Sequence, residues 1–322
     1  MIIGRSPAIL RGLSLAQRFA PTGLPILLVG PTGTGKELFT EHIHRLSGRP
    51  GPLVDVNCGA LPREMVESLL FGHRRGAFTG ASETVQGHVE RSHAGTLFLD
   101  ELASLPTEGQ AKLLRVLETG IVQALGSSMR RQVDLRIVSA VQEGILREVD
   151  GGRFRRDLYQ RVAGVVIELP PLAIRPEDII PLARHFAEVR RQRLEPEAER
   201  VLLNYSWPGN VRELRLAIER AGQLVDDGVL PAAAVAEGIA LGAPAEEIRH
   251  RATVGPVRVS PQPSPFDRDR IVAACELASW SVSAAARQLG MSRATLYRRL
   301  KQLGVLSPVS HRLSFTETSN ET

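Results

Sequence analysis

The chain has 322 residues, of which 43% are hydrophobic and 23% are charged, and its formal net charge is +5. This length and composition predict an ordinary globular protein of about two domains. Membrane and secretory classes are excluded, because no apolar run reaches the roughly 18 residues that a membrane helix needs and the N-terminus lacks a signal-peptide pattern. The two cysteines, Cys58 and Cys275, have no metal-spaced companions, which indicates a reducing, cytoplasmic environment without disulfides.

The first predicted strand, Ile26–Val29, runs into a glycine-rich loop that is typical of a phosphate-binding site. We expect its glycines to adopt positive φ and to leave backbone N–H groups facing an anion, with a helix over residues 37–46 adding its positive N-terminal end. The alternative is a glycine-rich turn before an ordinary helix. The predicted nucleotide-binding residues of this loop are Gly30, Pro31, Thr32, Gly33, Thr34, Gly35, Lys36 and Glu37.

Two residues of this loop carry further information. Lys36 is one of only three lysines among 40 basic residues, which indicates that a compact ammonium is needed between phosphate oxygens. Glu37 stands where the usual phosphate loop has a serine or threonine that binds Mg²⁺, so the strict motif fails at that position.

Apolar runs and helical patterns alternate through the first half of the chain. Beyond residues 26–29, strands are predicted at 53–56, 96–99, 135–140 and 165–169, with helices between them, notably at 64–70 and 108–118. This alternation predicts an α/β fold with a parallel sheet covered on both faces. After Pro171 we expect helices only, from about residue 177 to residue 239.

Two adjacent acids, Asp100 and Glu101, follow the predicted strand at 96–99. Because the carboxyl ends of parallel strands carry the chemistry of such sheets, we expect Asp100 to hold Mg²⁺ and Glu101 to orient and deprotonate the attacking water. The alternative is the ordinary enrichment of acids at a helix N-terminus.

A hexapeptide with glycines at its first and fifth positions is predicted to form a loop with a phenylalanine near its tip. Phe78 could fold back on the core in a plain turn. Alternatively, the glycines could let a mobile loop present Phe78 and Thr79 to another protein. The six residues are Gly76, Ala77, Phe78, Thr79, Gly80 and Ala81.

The phosphate loop, the acidic pair and this hexapeptide together resemble the bacterial enhancer-binding proteins, which are AAA+ ATPases that activate sigma-54 RNA polymerase. The resemblance implies a P-loop AAA+ parallel sheet with a helical lid, ATP and Mg²⁺ as cofactors, and an active homo-oligomer, usually a hexamer. It also implies that the hexapeptide contacts the sigma factor. Glu37 fits this family, in which water would take the place of the missing hydroxyl at Mg²⁺.

The resemblance assigns further site residues. Asn57 matches the residue that holds the catalytic Glu101 away from water until the partner binds, although a buried asparagine satisfied by backbone is an equal alternative. Arg155 and Arg161 match the pair that reaches into the neighbouring subunit's site, and Arg212 matches the lid residue that senses nucleotide. In isolation, the arginine-rich segment reads as a solvated helix.

One departure from the family pattern follows the fourth predicted strand. The family usually has Ala-Thr-Asn there, whereas this chain has Ala140, Val141 and Gln142. Gln142 can still hydrogen-bond a phosphate or water, but Val141 cannot replace a threonine hydroxyl.

A basic segment near the C-terminus predicts a DNA-binding module. Residues 266–304 contain seven basic and three acidic residues, and residues 283–301 read as helix, glycine turn and helix. The string resembles a Fis-type helix-turn-helix; a basic hairpin used for oligomerisation is the alternative. The predicted contacts to double-stranded DNA are Arg293, Thr295, Arg298, Arg299 and Lys301.

The predicted order of domains is an α/β ATPase subdomain (1–170), a helical lid (171–240), a linker (241–265), a small all-α helix-turn-helix domain (266–306) and a polar tail (307–322). The predicted function is a cytoplasmic activator that hydrolyses ATP as a ring to remodel the sigma-54 holoenzyme from an upstream site. A DNA-binding regulator with a decayed ATPase is the alternative, and the hexapeptide argues against a replication loader. Because the resemblance begins at Ile2, we expect no N-terminal receiver or ligand-sensing domain in this sequence, and we expect control to come from another protein, from the expression level or from a further segment.

Overall fold

The computed structural model describes residues 2–242. The predicted helix-turn-helix, the polar tail and the linker from residue 243 on lie outside the described residues. The strands of the described part are β1 (Ile26–Val29), β2 (Leu53–Asn57), β3 (Gly72–His73), β4 (Val85–Gln86), β5 (Thr96–Asp100), β6 (Ile121–Val122), β7 (Arg131–Gln132), β8 (Arg136–Val141), β9 (Val165–Glu168), β10 (Arg193–Leu194) and β11 (Val229–Leu230). The helices are α1 (Pro7–Phe19), α2 (Lys36–Ser47), α3 (Val66–Phe71), α4 (His88–Arg91), α5 (Thr107–Thr119), α6 (Ile145–Asp150), α7 (Arg156–Val162), α8 (Pro176–Val189), α9 (Pro196–Leu203), α10 (Asn210–Gln223) and α11 (Ala232–Ala240).

Five strands form one sheet in the order β2-β5-β8-β1-β9, and every pairing in it is parallel. The predicted parallel α/β sheet is therefore confirmed. Its register pairs Asn57 with Asp100 and Val29 with Val141. The carboxyl ends of β2, β5, β8 and β1 consequently meet at one edge, which is where ligands bind in sheets of this kind.

Both faces of the sheet are buried, because alternate residues of each strand point to opposite faces. In β1, Ile26 and Leu28 pack with Phe39 of α2, whereas Leu27 belongs to a second cluster that includes Leu113 of α5. This two-sided burial explains why the strands read as continuous apolar runs.

Four helices, α8 to α11, build a third core around Trp207, which is fully buried and donates from Nε1 to the Leu202 carbonyl at 2.9 Å. This part is the expected helical lid. The expectation of helices alone after Pro171 is wrong in one respect, since β10 and β11 pair in parallel there. A two-residue ladder is too short to leave a periodic pattern in the sequence.

Other boundaries differ from the predictions for local reasons. The helix expected at 64–70 is a 3₁₀ turn over Arg63–Met65 followed by α3, and two short antiparallel pairs, β3 with β4 and β6 with β7, were not predicted. Within residues 2–242, no helix is both long enough and apolar enough to cross a bilayer.

Candidate functional site

The phosphate loop connects β1 to α2 at the carboxyl edge of the sheet. Gly33 and Gly35 have φ values of 81° and 106°, as predicted. Gly30 does not adopt positive φ, so that part of the prediction is wrong. A Cβ atom at Gly30 would lie 2.2 Å from the Leu169 carbonyl oxygen, so glycine is needed there because β1 passes close to the chain leaving β9.

Lys36 is the first residue of α2, and its ammonium donates to the carbonyl oxygens of Gly30 at 2.9 Å and Pro31 at 3.0 Å. Burial lowers the pKa of Lys36, while the charges of Asp100 and Glu101 act in the opposite direction. Because a partly desolvated ammonium gains most from a nearby anion, this position favours phosphate oxygens.

Thr34 stabilises the conformation of the phosphate loop. The hydroxyl of Thr34 is turned away from solvent and donates to the Pro31 carbonyl oxygen at 2.9 Å. This bond closes the turn of the loop on itself.

An open cleft of about 450 Å³ lies between the sheet edge and the lid, a size that suits a nucleotide. The predicted residues that line it are Thr32, Gly33, Gly35, Lys36, Glu37, Asn57, Asp100, Glu101, Gln142 and Arg212. Lining residues that the sequence analysis did not name are Leu38, Glu41, Phe186, Val211 and Arg215. Glu41 and Arg215 lie about one helical turn beyond Glu37 and Arg212, so helical spacing could have found them.

Glu101 has an unusual backbone conformation for a glutamate, with φ of 51° and ψ of 41°. Its N–H donates to Oδ1 of Asp100 at 2.9 Å, and a Cβ placed on Gly59 would lie 2.3 Å from its Oε2 atom. Left-handed backbone costs a non-glycine residue roughly 1–2 kcal/mol, and such strain is concentrated at functional sites. The turn aims the carboxylate across Gly59 toward the end of β2.

The carboxylates at this edge suit Mg²⁺. Burial raises the pKa of Asp55 on β2, and the nearby charges of Glu37 and Asp100 raise it further. Mg²⁺ takes one or two protein carboxylates and completes its shell with water and phosphate oxygens, so Asp100 with Glu37 nearby is a fitting donor set. In the described part of the chain, no group of three or more histidine, cysteine or acidic side chains forms a complete cage for a metal.

Asn57 ends β2 beside Asp100. Its Oδ1 accepts from the Ala60 N–H at 3.0 Å, and the residue is exposed. The side chains of Asn57 and Glu101 both approach Gly59, but they are not hydrogen-bonded to each other. Asn57 is therefore satisfied by a backbone N–H, as expected for a purely structural asparagine, but it is exposed and not buried.

The departure from the family pattern lies at the end of β8. Val141 is buried, pairs with Val29, and its carbonyl accepts from the Gly30 N–H at 3.1 Å. Gln142 is exposed and lines the cleft. An amide is therefore available to a ligand at this point, whereas the buried Val141 offers the cleft only an apolar side chain.

Arg212 reaches the cleft from the start of α10. The Gly33 carbonyl accepts from the N–H groups of Val211 at 2.9 Å and Arg212 at 3.3 Å, so the lid is hydrogen-bonded directly to the phosphate loop. Two buried residues that the sequence analysis did not single out, Asn210 and Arg175, contact the same loop.

Arg155 and Arg161 are exposed and do not line this cleft. Arg155 makes a two-pronged ion pair with Asp157, in which Nη2 lies 2.7 Å from a carboxylate oxygen. The guanidinium of Arg161 donates to the Leu117 carbonyl from Nε at 3.2 Å and Nη2 at 2.7 Å. Neither arginine contacts the phosphate loop of its own chain.

The hexapeptide forms a closed turn. Gly76 and Gly80 have φ values of 82° and 96°, the Gly76 N–H donates to the Ala81 carbonyl at 2.8 Å, and the Ala81 N–H donates to the Phe78 carbonyl at 3.0 Å. Ala81 is buried, whereas Thr79 is exposed. The geometry of this turn thus depends on glycine at positions 76 and 80.

Phe78 combines features of both alternatives. It is 44% exposed, yet its ring meets the ring of His73 edge-on at a centroid distance of 5.0 Å. His73 is in turn held by a 2.7 Å hydrogen bond between its Nδ1 and the Ser68 hydroxyl. The remaining predicted residues, Arg293, Thr295, Arg298, Arg299 and Lys301, lie outside the described residues.

Comparison with known proteins identifies the family. A sigma-54 interaction domain matches residues 2–168, which is more than half of the chain. An AAA+ ATPase lid domain matches residues 174–251, and a Fis-family bacterial regulatory domain matches residues 262–303. The chain belongs to the sigma-54-dependent transcriptional regulators. The AAA+ fold with a lid, together with the C-terminal Fis-type helix-turn-helix, is thereby confirmed.

Two named transcriptional regulators resemble the chain over most of its length. The nitric oxide reductase transcription regulator NorR1 of Cupriavidus necator is 41% identical over 94% of this chain and 63% of its own length. The transcriptional regulatory protein ZraR of Escherichia coli is 39% identical over 94% of this chain and 68% of its own. The chain therefore spans about two thirds of these relatives. The structure of NtrX from Brucella abortus in complex with ADP is 33% identical, with a TM-score of 0.69, and the match covers 95% of this chain and 70% of that one.

Proposed function

We propose that this chain hydrolyses ATP as a cytoplasmic ring and uses the hydrolysis to remodel sigma-54 RNA polymerase holoenzyme, while its C-terminal module holds upstream DNA. The observation that carries the proposal is the cleft in which Lys36, Asp100 and Glu101 meet. Structures of the similar protein NtrX in complex with ADP and with ATP support a nucleotide as the ligand of this chain.

Each residue of the cleft has a chemical task in this proposal. Lys36 and the loop amides bind the phosphates, and Arg212 and Gln142 contact the terminal phosphate from the lid and from β8. Asp100 would hold Mg²⁺, with Glu37 in the same cleft, and the ion would neutralise phosphate charge when bound. The carboxylate of Glu101 accepts a proton from the attacking water, which makes the water a better nucleophile.

We further propose that the site is completed by a second copy of the chain. The exposure of Arg155 and Arg161, away from their own cleft, supports action on a neighbour's phosphates. Arginine fingers contribute roughly 10³–10⁵ in rate, so an isolated chain should be nearly inactive. Closed rings of identical subunits satisfy this geometry, and a hexamer is the form proposed.

The hexapeptide is the proposed contact with sigma-54. Thr79 and Phe78 are exposed, while the turn made by Gly76 and Gly80 and the buried Ala81 tie the loop to the ATPase subdomain. A Thr79→Ala variant should keep ATPase activity and lose transcription activation. Intact activation by this variant would contradict the sigma-54 assignment of the loop.

The primary test measures the ATPase rate against protein concentration for wild type, Glu101→Gln and the control Glu143→Gln, whose side chain is exposed outside the cleft. We expect a cooperative rise with concentration in wild type and in the control, and a fall of about 10²–10⁴-fold in Glu101→Gln with ATP binding retained. A rate per chain that does not depend on concentration would refute the shared site.

A mixing experiment tests the arginines directly. The Lys36→Ala variant keeps Arg155 and Arg161 but should not bind phosphate in its own cleft. The Arg161→Ala variant keeps all the residues of its own cleft but lacks the arginine proposed to act on a neighbour. If the arginine acts on a neighbour, mixing the two inactive variants should restore part of the activity, and Arg147→Ala, exposed on α6, should behave as wild type. No recovery on mixing would place Arg161 outside the active site.

The second candidate function is a DNA-binding regulator that binds nucleotide without hydrolysing it. The burial of Val141 favours it, because no hydroxyl is available at the end of β8. Undetectable ATP hydrolysis in wild type, with normal nucleotide binding, would support this second function over the first.

DNA binding is proposed for the Fis-type module matched at residues 262–303. Affinity should fall steeply with salt, and loss of one phosphate-contacting residue such as Arg298 should reduce the slope by about one. A flat salt response would contradict a DNA-binding role for the module.

A further inference from the structure

Three consecutive carbonyl groups of the phosphate loop are held by the lid side of the molecule. The Thr32 carbonyl accepts from Nδ2 of Asn210 at 3.0 Å, and the Gly33 carbonyl accepts from the Val211 and Arg212 amides. The Thr34 carbonyl accepts from Nη2 of Arg175 at 3.2 Å.

Asn210 is built for this contact. It is buried, and its φ of 56° is a conformation that asparagine tolerates better than most residues. Its amide oxygen accepts from the Leu172 N–H at 2.8 Å, while its amide nitrogen donates to Thr32. One side chain thus joins the loop to the segment that leads into the lid.

Arg175 is equally well fixed. It is 3% exposed, its guanidinium lies 3.6 Å from the carboxylate of Asp178, and burial lowers its pKa. Asp178 also accepts from the N–H and hydroxyl of Ser6 at 2.8 and 2.6 Å. Burying a guanidinium costs free energy unless it is paired and hydrogen-bonded. The hydrogen bond from Arg175 to the Thr34 carbonyl therefore calls for a functional explanation.

The planarity of the peptide bond supplies that reason. In a trans peptide, the C=O of one residue and the N–H of the next point in opposite directions. Holding the carbonyls of Thr32, Gly33 and Thr34 against the lid donors therefore points the following three N–H groups away from those donors. Those N–H groups are the ones that a phosphate-binding loop offers to its anion.

We propose that Asn210 and Arg175 are positioning residues, which set the direction of the phosphate-loop amides and make nucleotide affinity depend on the lid. This inference rests on the proposed binding of nucleotide in the cleft. Neither residue needs to touch the nucleotide.

The test compares Asn210→Asp and Arg175→Lys in the full chain. The aspartate keeps the bond to Leu172 but cannot donate to Thr32, and the lysine keeps a cation beside Asp178 without the reach of the guanidinium. Asn204→Asp and Arg184→Lys, both exposed in the lid, are the matched controls. Dissociation constants for a fluorescent ADP analogue are measured at a temperature where circular dichroism shows every variant folded.

We expect each positioning variant to bind about five- to tenfold more weakly, since each loses one hydrogen bond to the loop, and KM for ATP to rise more than kcat falls. A purely structural role would lower the unfolding temperature and leave the affinity of the folded protein unchanged. Unchanged affinity in Asn210→Asp overturns the inference, whatever the fate of Arg175→Lys. A wild-type chain that binds no ADP overturns the proposed function instead.

Discussion

Two glycines of the phosphate loop provide a matched test of how the lid supports it. A Cβ atom at Gly33 would lie 2.4 Å from the Gly209 carbonyl oxygen and 3.2 Å from Cβ of Arg212, whereas one at Gly35 would meet nothing within 4 Å. Both residues have positive φ. The substitutions Gly33→Ala and Gly35→Ala therefore share a backbone cost, and only the first meets the lid.

The expected magnitudes follow from these contacts. Alanine at positive φ costs roughly 1–2 kcal/mol at either position, and the gain from stiffening the unfolded chain is the same for both. Real Cβ atoms essentially never approach other atoms within 3.0 Å, so Gly33→Ala must push the lid away by about 0.6 Å. Such overpacking costs about 1–3 kcal/mol. The free energy of unfolding should therefore differ by about 2 kcal/mol between the two variants.

Thermal unfolding without nucleotide, followed by circular dichroism, measures the difference. For a unit of this size, about 2 kcal/mol corresponds to a midpoint roughly 4–8 °C lower for Gly33→Ala than for Gly35→Ala. The nucleotide affinity of Gly33→Ala should fall as well, because the bonds from Val211 and Asn210 are disturbed. Equal midpoints for the two variants would show that the contact between loop and lid contributes nothing to stability, and the reasoning would fail.

Further predictions concern three other parts of the structure. Cys58 is buried and its pKa is raised to about 12, chiefly by burial, so alkylation at pH 8 followed by peptide mass spectrometry should leave it unmodified until denaturant is added; rapid labelling of the native chain would contradict its burial. The same shift makes the folded chain hold the thiol proton more tightly than the unfolded chain does, so this contribution to stability is complete below about pH 9 and is lost as the pH rises toward 12. Asp178→Ala leaves Arg175 buried and unpaired and should cost about 3–5 kcal/mol in urea unfolding, whereas Asp150→Ala, from an exposed pair with Arg156, should change stability by less than about 1 kcal/mol; similar losses would refute this contrast. Phe78→Ala should remove the ring contact with His73 and speed amide exchange in the hexapeptide, and unchanged exchange would show that the contact does not restrain the loop.

The large elements could be predicted because their signals are local. β1 and β5 are short apolar runs with both faces buried, and α5 has a clear amphipathic pattern between Pro106 and Gly120. The pair β10 and β11 could not be found, since two residues carry no period and their pairing depends on the packing of the lid. The unexpected backbone at Gly30 has the same origin, because its glycine is required by a neighbour far along the chain.

The site divides in a similar way. Lys36, Asp100 and Glu101 belong to short motifs whose chemistry can be read in place. Asn210 bonds to Thr32 across 178 residues of sequence, and Arg175 bonds to Thr34 across 141 residues, so neither contact leaves a local pattern. The role predicted for Arg155 and Arg161 is of a third kind, because it concerns the active site of an adjacent subunit and depends on how two chains assemble.

The left-handed turn at Glu101 has a consequence for engineering. Asparagine or glycine would suit its φ of 51° better than glutamate does, and the relief could be worth up to about 1 kcal/mol. A laboratory selection for heat resistance alone would thus tend to replace the one carboxylate proposed to activate water. Thermal stability and ATPase activity therefore oppose each other at position 101. Variants selected for thermal stability should be screened for ATPase activity.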